Sequence, residues 1–294
     1  VAMNPAETVV GLVGTGVMGK SMAEHFMRAG YQVHLYNRTR SKAQELVEQG
    51  AHWQDSPGEL AQQCDVIITM VGFPSDVEEV YLGENGILQN AKAGSYVIDM
   101  TTSSPKLAKQ IENKARSRGL FSLDAPVSGG DVGAKEARLS IMVGGSRDAF
   151  DAVLPLFEKI GKNIVYQGEA GAGQHTKMCN QIAIASNMMG VVEALVYAEK
   201  SGLDPATVLK SIESGAAGSW SLSNLAPRMI AGNFAPGFYV KHFIKDMSIA
   251  LQSAEEMNAK LPGLALAKSL YEQLAASGEE DSGTHALYKL ISKL

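Results

Sequence analysis

Residues 9 to 30 read VVGLVGTGVMGKSMAEHFMRAG. Val9 to Val13 is a short apolar run of strand type. Gly14-Thr15-Gly16-Val17-Met18-Gly19 follows as a GxGxxG turn, and Lys20 to Gly30 carries apolar residues at helical spacing. Strand, glycine turn and amphipathic helix in that order form the setting in which this motif binds a dinucleotide. Gly14 permits the tight turn, Gly16 lets the backbone approach a pyrophosphate, and Gly19 lets helix and strand pack closely. The N–H groups that open the helix then face the anion. The other reading is a glycine turn without a ligand. A second strand-like run, Gln32 to Tyr36, favours the dinucleotide.

The end of that second strand selects the cofactor. An NAD site places an Asp or Glu about twenty residues past the glycines, on the ribose hydroxyls. Here Asn37, Arg38 and Thr39 stand, with Arg40 and Lys42 close behind. A carboxylate would repel the extra phosphate of NADP, whereas a guanidinium and a hydroxyl accept it through charge-assisted hydrogen bonds. NADP is the expected cofactor, with NAD as the alternative; a polar loop opening a solvated helix is the plainer reading of the same residues.

Up to about residue 168, strand-like runs alternate with helical periods: Val66 to Met70, Tyr96 to Asp99, Leu120 to Asp124, Ser140 to Val143 and Asn163 to Tyr166. Helix starts are expected at Ser56-Pro57 with Glu59, at Ser75 with Glu78, and at Ser104 before Pro105. This alternation predicts a doubly wound, mainly parallel sheet. After Gly173 the strands stop. One helix of about 25 to 30 residues is expected to run to Lys200 and end at Gly202, with Asp204 and Pro205 opening the next. Further helical periods span Leu222 to Ile230, His242 to Met257, Leu264 to Ala276 and Thr284 to Leu294. The expected domains are therefore 1–170, α/β and nucleotide-binding, and 171–294, all-helical. The first long helix is apolar on nearly every face, so a second subunit is expected to help cover it.

Composition narrows the function. The 294 residues are 45% hydrophobic and 19% charged, enough for two cores, and a net charge of −5 with no basic stripe argues against a nucleic-acid partner. Cys64 and Cys179 are too few for a disulfide framework and sit in apolar segments, so both are expected to be buried thiols. The six histidines lack metal-ligand spacing, and no metal site is expected. Val1 to Thr8 is short and mixed, so no secretory signal is expected, and Met3 reads as the natural start. The most apolar stretch, Ile182 to Val192, is interrupted by Ser186 and Asn187 and reads as too short for a bilayer. A cytoplasmic protein without a membrane partner is the expectation.

Lys177 lies just after the glycines Gly168, Gly171 and Gly173, in a run built for burial that includes Met178, Cys179, Ile182 and Ala183. A buried ammonium is costly unless paired, and its pKa shifts readily, which suits proton transfer. Asn180, three positions on, shares its helix face, so both can reach one small substrate. The alternative is a lysine that snorkels to water.

Three further clusters stand at points of action. Asp124-Ala125-Pro126-Val127-Ser128-Gly129-Gly130 follows a strand, and ligands of open α/β sheets bind beyond the carboxyl ends of strands. The Ser128 hydroxyl with the backbone of Gly129 and Gly130 makes a cradle for a substrate carboxylate, or else only a glycine turn. Asp99-Met100-Thr101-Thr102 also ends a strand, where a hydroxyl could meet the nicotinamide ribose or simply open a helix before Pro105. Phe238 and the His242-Phe243-Ile244-Lys245-Asp246 run place an aromatic and an ion pair in the helical half; a surface ion pair is the plainer reading.

Together these residues resemble the β-hydroxyacid dehydrogenase family, the group of 3-hydroxyisobutyrate dehydrogenase, tartronate semialdehyde reductase and the glyoxylate/succinic semialdehyde reductases. The resemblance covers essentially the whole chain. Gly11 to Met22 matches the family's cofactor signature, with Thr15 where leucine is usual. Asp124 to Gly130 matches its substrate signature, Gly168 to Asn180 its catalytic signature, and Lys245-Asp246 its late lysine-aspartate pair. The resemblance implies a Rossmann domain followed by an all-α domain that begins with one long central helix, and homodimers or homotetramers built through the helical halves. It implies that Lys177 is the catalytic lysine and that Asn180 orients the substrate. By the same resemblance Ser128, Gly129 and Gly130 hold the substrate carboxylate, Thr102 and Lys245 contact the cofactor, and Phe238 and Asp246 belong to the substrate side. The turn residues Gly14, Thr15, Gly16, Val17 and Met18 would line the pyrophosphate. Asn37-Arg38-Thr39 looks like the pattern of the NADP-preferring semialdehyde reductases. Many members carry a second asparagine after the first; Gln181 takes that place here, as in tartronate semialdehyde reductases, so the exact substrate stays open.

The expected reaction interconverts a small 3-hydroxy acid and its semialdehyde, Lys177 serving as general acid and base. The imine reductases that resemble this fold replace the lysine, and a non-catalytic nucleotide-binding scaffold would have lost it. Lys177 argues against both.

Overall fold

The computed structural model describes residues 3 to 294. Val1 and Ala2, which precede the expected natural start, lie outside the described residues. The chain divides into two compact units, Val1–Lys177 and Met178–Leu294.

The first unit is built on one nine-stranded sheet of β1 (Val9–Val13), β2 (Gln32–Tyr36), β3 (His52–Trp53), β4 (Val66–Thr69), β5 (Tyr96–Asp99), β6 (Phe121–Asp124), β7 (Val127–Ser128), β8 (Leu139–Gly145) and β9 (Gly161–Gly168). The order β3-β2-β1-β4-β5-β6 is parallel throughout. β8 then joins antiparallel to β6 and β7, and β9 runs parallel to β8. This is the doubly wound order, in which strand succession reverses between β1 and β4 and leaves a ligand crevice beyond their carboxyl ends. Helices cover both faces, so the central strands are near-continuous apolar runs. Side chains alternate between two cores: Val10, Leu12, Val66, Ile68 and Ile98 pack with Met22 and Phe26, while Val13, Ile67 and Val97 pack with Leu60, Tyr81 and Ile111. The strands β3 and β7 are two residues each, too short for periodicity to reveal.

Two of the three expected helix caps stand as read. Ser56 Oγ accepts from Glu59 N at 3.0 Å, and Ser104 Oγ from Leu107 N at 3.2 Å. The third is corrected: the helix Pro74–Leu82 starts one residue before Ser75, and the Asp76 carboxylate accepts from Phe73 N at 3.0 Å. Proline is preset for the first helical position, which puts Ser75 inside the turn where its hydroxyl cannot cap it.

The helix Ala172–Lys200 is 29 residues long and crosses the boundary between the units. In the second unit its Ala185, Met188, Val192 and Leu195 pack with Phe243 and Met247 of the helix Val240–Glu256 and Leu264 and Tyr271 of Pro262–Leu274. By length and composition alone it is long and apolar enough to cross a membrane, a test that the core helix of a soluble protein also passes. A stripe of Cys179, Ala183, Ser186, Gly190, Glu193 and Tyr197 is exposed in the single chain. Cys179 is therefore not a buried thiol, whereas Cys64 is. The helical period Leu222 to Ile230 is two helices, Trp220–Asn224 and Ala226–Ile230, because Pro227 lacks an N–H and restricts the residue before it. Asp204 caps Pro205–Ile212 by accepting from Thr207 N at 3.2 Å.

Candidate active site

Register places the chemistry. Tyr36, Val13, Thr69, Asp99 and Asp124 form one row across the carboxyl edge of the parallel sheet. The glycine turn leaves that edge from β1, the Thr101-Thr102 loop from β5, and the Ser128 segment just after β6.

At the turn, packing dictates two of the glycines. A Cβ on Gly14, whose φ is +103°, would stand 2.1 Å from the Met70 carbonyl oxygen, and one on Gly19 would stand 2.0 Å from the Gly14 carbonyl oxygen. A Cβ on Gly16 would meet nothing within 4 Å. Gly16 is also the N-cap of the helix Val17–Arg28, and the helix starts without a side-chain cap hydrogen bond. Val17 is 66% exposed beside it, while Met18 is half-buried. A bare helix start under an open glycine fits a pyrophosphate. The Thr15 hydroxyl, buried and without a hydrogen-bond partner, marks the same turn.

Asn37 fastens the turn to β2. Its Oδ1 accepts from Thr15 N at 2.9 Å and its Nδ2 donates to Thr39 O at 2.9 Å, so both amide atoms are engaged by the protein. Arg38 and Thr39 are exposed. Arg38 Nη2 lies 2.9 Å from Asp76 Oδ1 and 3.5 Å from Glu79 Oε2.

Asp124 does work that its place in the substrate signature did not announce. Its buried carboxylate accepts from Gly171 N and Gln174 N, each at 2.9 Å, across the start of the long helix. Burial raises its pKa, while those backbone N–H groups oppose the shift. Glycine is enforced around it: a Cβ on Gly144 would lie 2.7 Å from Asp124 Oδ1, and one on Gly173 would lie 2.7 Å from Asp124 O. Gln174, fully buried, adds a second tie by donating to Thr101 O at 2.7 Å and accepting from Ser103 N at 2.8 Å. The first turn of the long helix is thus locked to the carboxyl edge of the sheet. Lys177, one turn further along, is buried at 7% exposure.

Asp99 is the second buried acid of the row. Its Oδ1 accepts from Thr69 Oγ1 at 2.8 Å and Thr101 N at 3.1 Å, and burial pushes its carboxyl up to about 6 against those hydrogen bonds. Tyr81 extends the chain through its hydroxyl, 2.9 Å from Thr69 Oγ1. Thr102, in the loop that follows, is half-buried. Ser128 is half-buried at the end of β7, and Gly129 and Gly130 after it are exposed with φ of +124° and +64°, values that favour glycine.

In the second unit Asn180 Nδ2 donates to Gln181 Oε1 at 2.8 Å, and Gln181 Nε2 donates to Asp246 Oδ2 at 2.7 Å. Asp246 Oδ1 makes no hydrogen bond yet stands 3.0 Å from Lys245 Nζ. With side-chain exposures of 12% and 1%, Lys245 and Asp246 are a buried pair and not the surface pair their sequence allowed. The Phe238 ring is half-buried and 5.7 Å from that of Phe243. Among the described residues, no group of three or more His, Cys, Asp or Glu is placed to hold a metal.

Residues 9–168 match the model of the NAD binding domain of 6-phosphogluconate dehydrogenase, and residues 171–291 match that of the NAD-binding domain of NADP-dependent 3-hydroxyisobutyrate dehydrogenase. An uncharacterized oxidoreductase of Bacillus subtilis, YkwC, is 64% identical over 97% of this chain and 99% of its own length. The 2-hydroxy-3-oxopropionate reductase of Escherichia coli is 39% identical over 96% of each chain. The structure of a Mycobacterium tuberculosis 3-hydroxyisobutyrate dehydrogenase with L-serine superposes with a TM-score of 0.89 at 29% identity, covering 97% of this chain and 99% of that one.

Proposed function

Since the chain belongs to the β-hydroxyacid dehydrogenase family and is an NAD(P)-dependent hydroxyacid dehydrogenase, we propose that it interconverts a small 3-hydroxy acid and its semialdehyde, with Lys177 as general acid and base. The observation that carries this reading is the burial of Lys177 on a helix whose first turn is tied to the sheet edge by Asp124 and Gln174. A group held this rigidly acts on a reacting atom without reorganising.

The bare N-terminus of Val17–Arg28 and the open space over Gly16 would hold the pyrophosphate of the cofactor. The nicotinamide, when bound, supplies or accepts hydride at the substrate carbon. Charge develops on the substrate oxygen in the reductive direction, and the Lys177 ammonium stabilises and protonates it. In the oxidative direction the neutral amine takes the hydroxyl proton. Asn180, one turn on along the same helix, orients that oxygen. Ser128 with the backbone of Gly129 and Gly130 anchors the substrate carboxylate, so binding at a remote group aligns the reacting one. Thr102 and Lys245 are assigned to the cofactor, and Phe238 and Asp246 to the substrate side. Arg38 and Thr39 support NADP over NAD through the charge-assisted hydrogen bonds they offer a 2′-phosphate.

The substrate we favour is 3-hydroxyisobutyrate with methylmalonate semialdehyde. The second reading is an NADPH-dependent reductase of tartronate, succinic or glyoxylate type, favoured by Gln181 in place of the second asparagine and by the name of the Escherichia coli relative. Initial rates over a panel of short 3-hydroxy acids and semialdehydes, each with NADP and NAD forms, separate the two. Highest efficiency on 3-hydroxyisobutyrate supports the first; highest efficiency on tartronate semialdehyde replaces it with the second.

A further inference from the structure

The guanidinium that stands where a ribose phosphate would be met is already held. Asp76 lies 2.9 Å from Arg38, is only 20% exposed at its side chain, and is fixed by a second bond in which its Oδ2 accepts from Phe73 N at 3.0 Å. It cannot swing away from Arg38 without giving up the start of the Pro74–Leu82 helix. Glu79, three positions on and so on the same helix face, brings a second carboxylate to 3.5 Å from the same nitrogen. One guanidinium therefore faces two carboxylates. The next basic residue is engaged as well: Arg40 lies 3.9 Å from Asp55 and 5.1 Å over the Trp53 ring.

We propose that Asp76 and Glu79 are specificity-determining residues for the 2′ position of the cofactor, competing with a 2′-phosphate for Arg38 and holding the preference for NADP below what the basic loop alone would confer. The inference rests on the reading of Arg38 as the phosphate partner. A 2′-phosphate carries about −1.5 to −2 charge, and it must approach two carboxylates and take over the guanidinium from one of them. A neutral 2′-hydroxyl pays neither cost. Because Arg38 and Glu79 are 71% and 75% exposed, the competition is screened by salt.

The test compares binding of 2′,5′-ADP and 5′-AMP, which differ only in the 2′-phosphate, by calorimetry on the wild type, Asp76→Asn, Glu79→Gln and Arg38→Ala. Asp76→Asn keeps an oxygen for the helix cap, and Glu79→Gln alters an exposed residue without a capping role, so one variant stands if the other unfolds. The ratio of the two dissociation constants is expected to move toward 2′,5′-ADP by about threefold to tenfold in each acidic-residue variant at low salt, and by less at high salt. Arg38→Ala is expected to move it the other way. If Arg38→Ala does so while Asp76→Asn and Glu79→Gln leave the ratio unchanged, the competition is overturned and Arg38 remains the phosphate partner. If Arg38→Ala leaves the ratio unchanged, the underlying reading fails and this inference fails with it.

Discussion

Gln181 donates to Asp246 at 2.7 Å while accepting from Asn180 at 2.8 Å, so one side chain ties Asn180 to the buried acid of the late ion pair. Gln181 and Asp246 are each 1% exposed. The glutamine that departs from the family's usual asparagine is thus a bridge with both amide atoms in use.

Replacing Gln181 by Leu removes both contacts and leaves Asp246 Oδ2 buried without a donor. The expected loss is about 1 to 3 kcal/mol of stability, read from urea unfolding. Gln181→Glu should cost at least as much near neutral pH, since it sets a second carboxylate against Asp246. A Leu variant as stable as the wild type would show that the bridge contributes nothing.

Asp99 makes stability depend on pH. Its folded pKa is raised to about 6 from an ordinary 3.8, so between those values the folded state binds more protons than the unfolded one. Its contribution is full below about pH 4 and is lost as pH rises through about 6, a change on the order of 2 to 3 kcal/mol. Asp99→Asn keeps an oxygen to accept from Thr69 and Thr101 and does not ionise. The melting temperature of the variant relative to the wild type should therefore climb from pH 4 to pH 6.5. A difference that stays flat or falls across that range contradicts a raised Asp99.

The sheet was legible because its signals are local: an apolar run, a glycine turn and a helical period recur between Val9 and Tyr166. The long helix, read as about 25 to 30 residues ending at Lys200, was legible for the same reason. Other features depend on partners far along the chain. Asp124 reads as one residue of a substrate motif, and only folding brings it to the N–H groups of Gly171 and Gln174, 47 and 50 positions away. Gln174 gave little hint, being one of three consecutive polar residues, with His175 and Thr176, after Gly173. The pairing of Arg38 with Asp76 left none, since nothing local says that the capping acid of one helix faces the end of β2. Cys179 was misread because composition reports apolar neighbours and not the direction in which one helical stripe points.

Ser128→Ala should raise the apparent KM for a carboxylated substrate more than it lowers kcat, because the hydroxyl acts on a group remote from the reacting carbon. Uncharged aldehydes of the same size should be poor substrates, since a site built to hydrogen-bond an anion rejects analogues that lack it. Equal efficiency on charged and uncharged aldehydes would remove the carboxylate cradle from the account.

Turnover of Lys177→Ala tests the central claim most directly, because Lys177 alone is assigned the proton. The fall in kcat should be about 10²- to 10⁴-fold, the scale of a lost general acid and base, while NADPH affinity, measured by its fluorescence on binding, stays within about twofold. Turnover within a few-fold of the wild type, with the cofactor still bound, would contradict the assignment of Lys177 as the proton donor and acceptor.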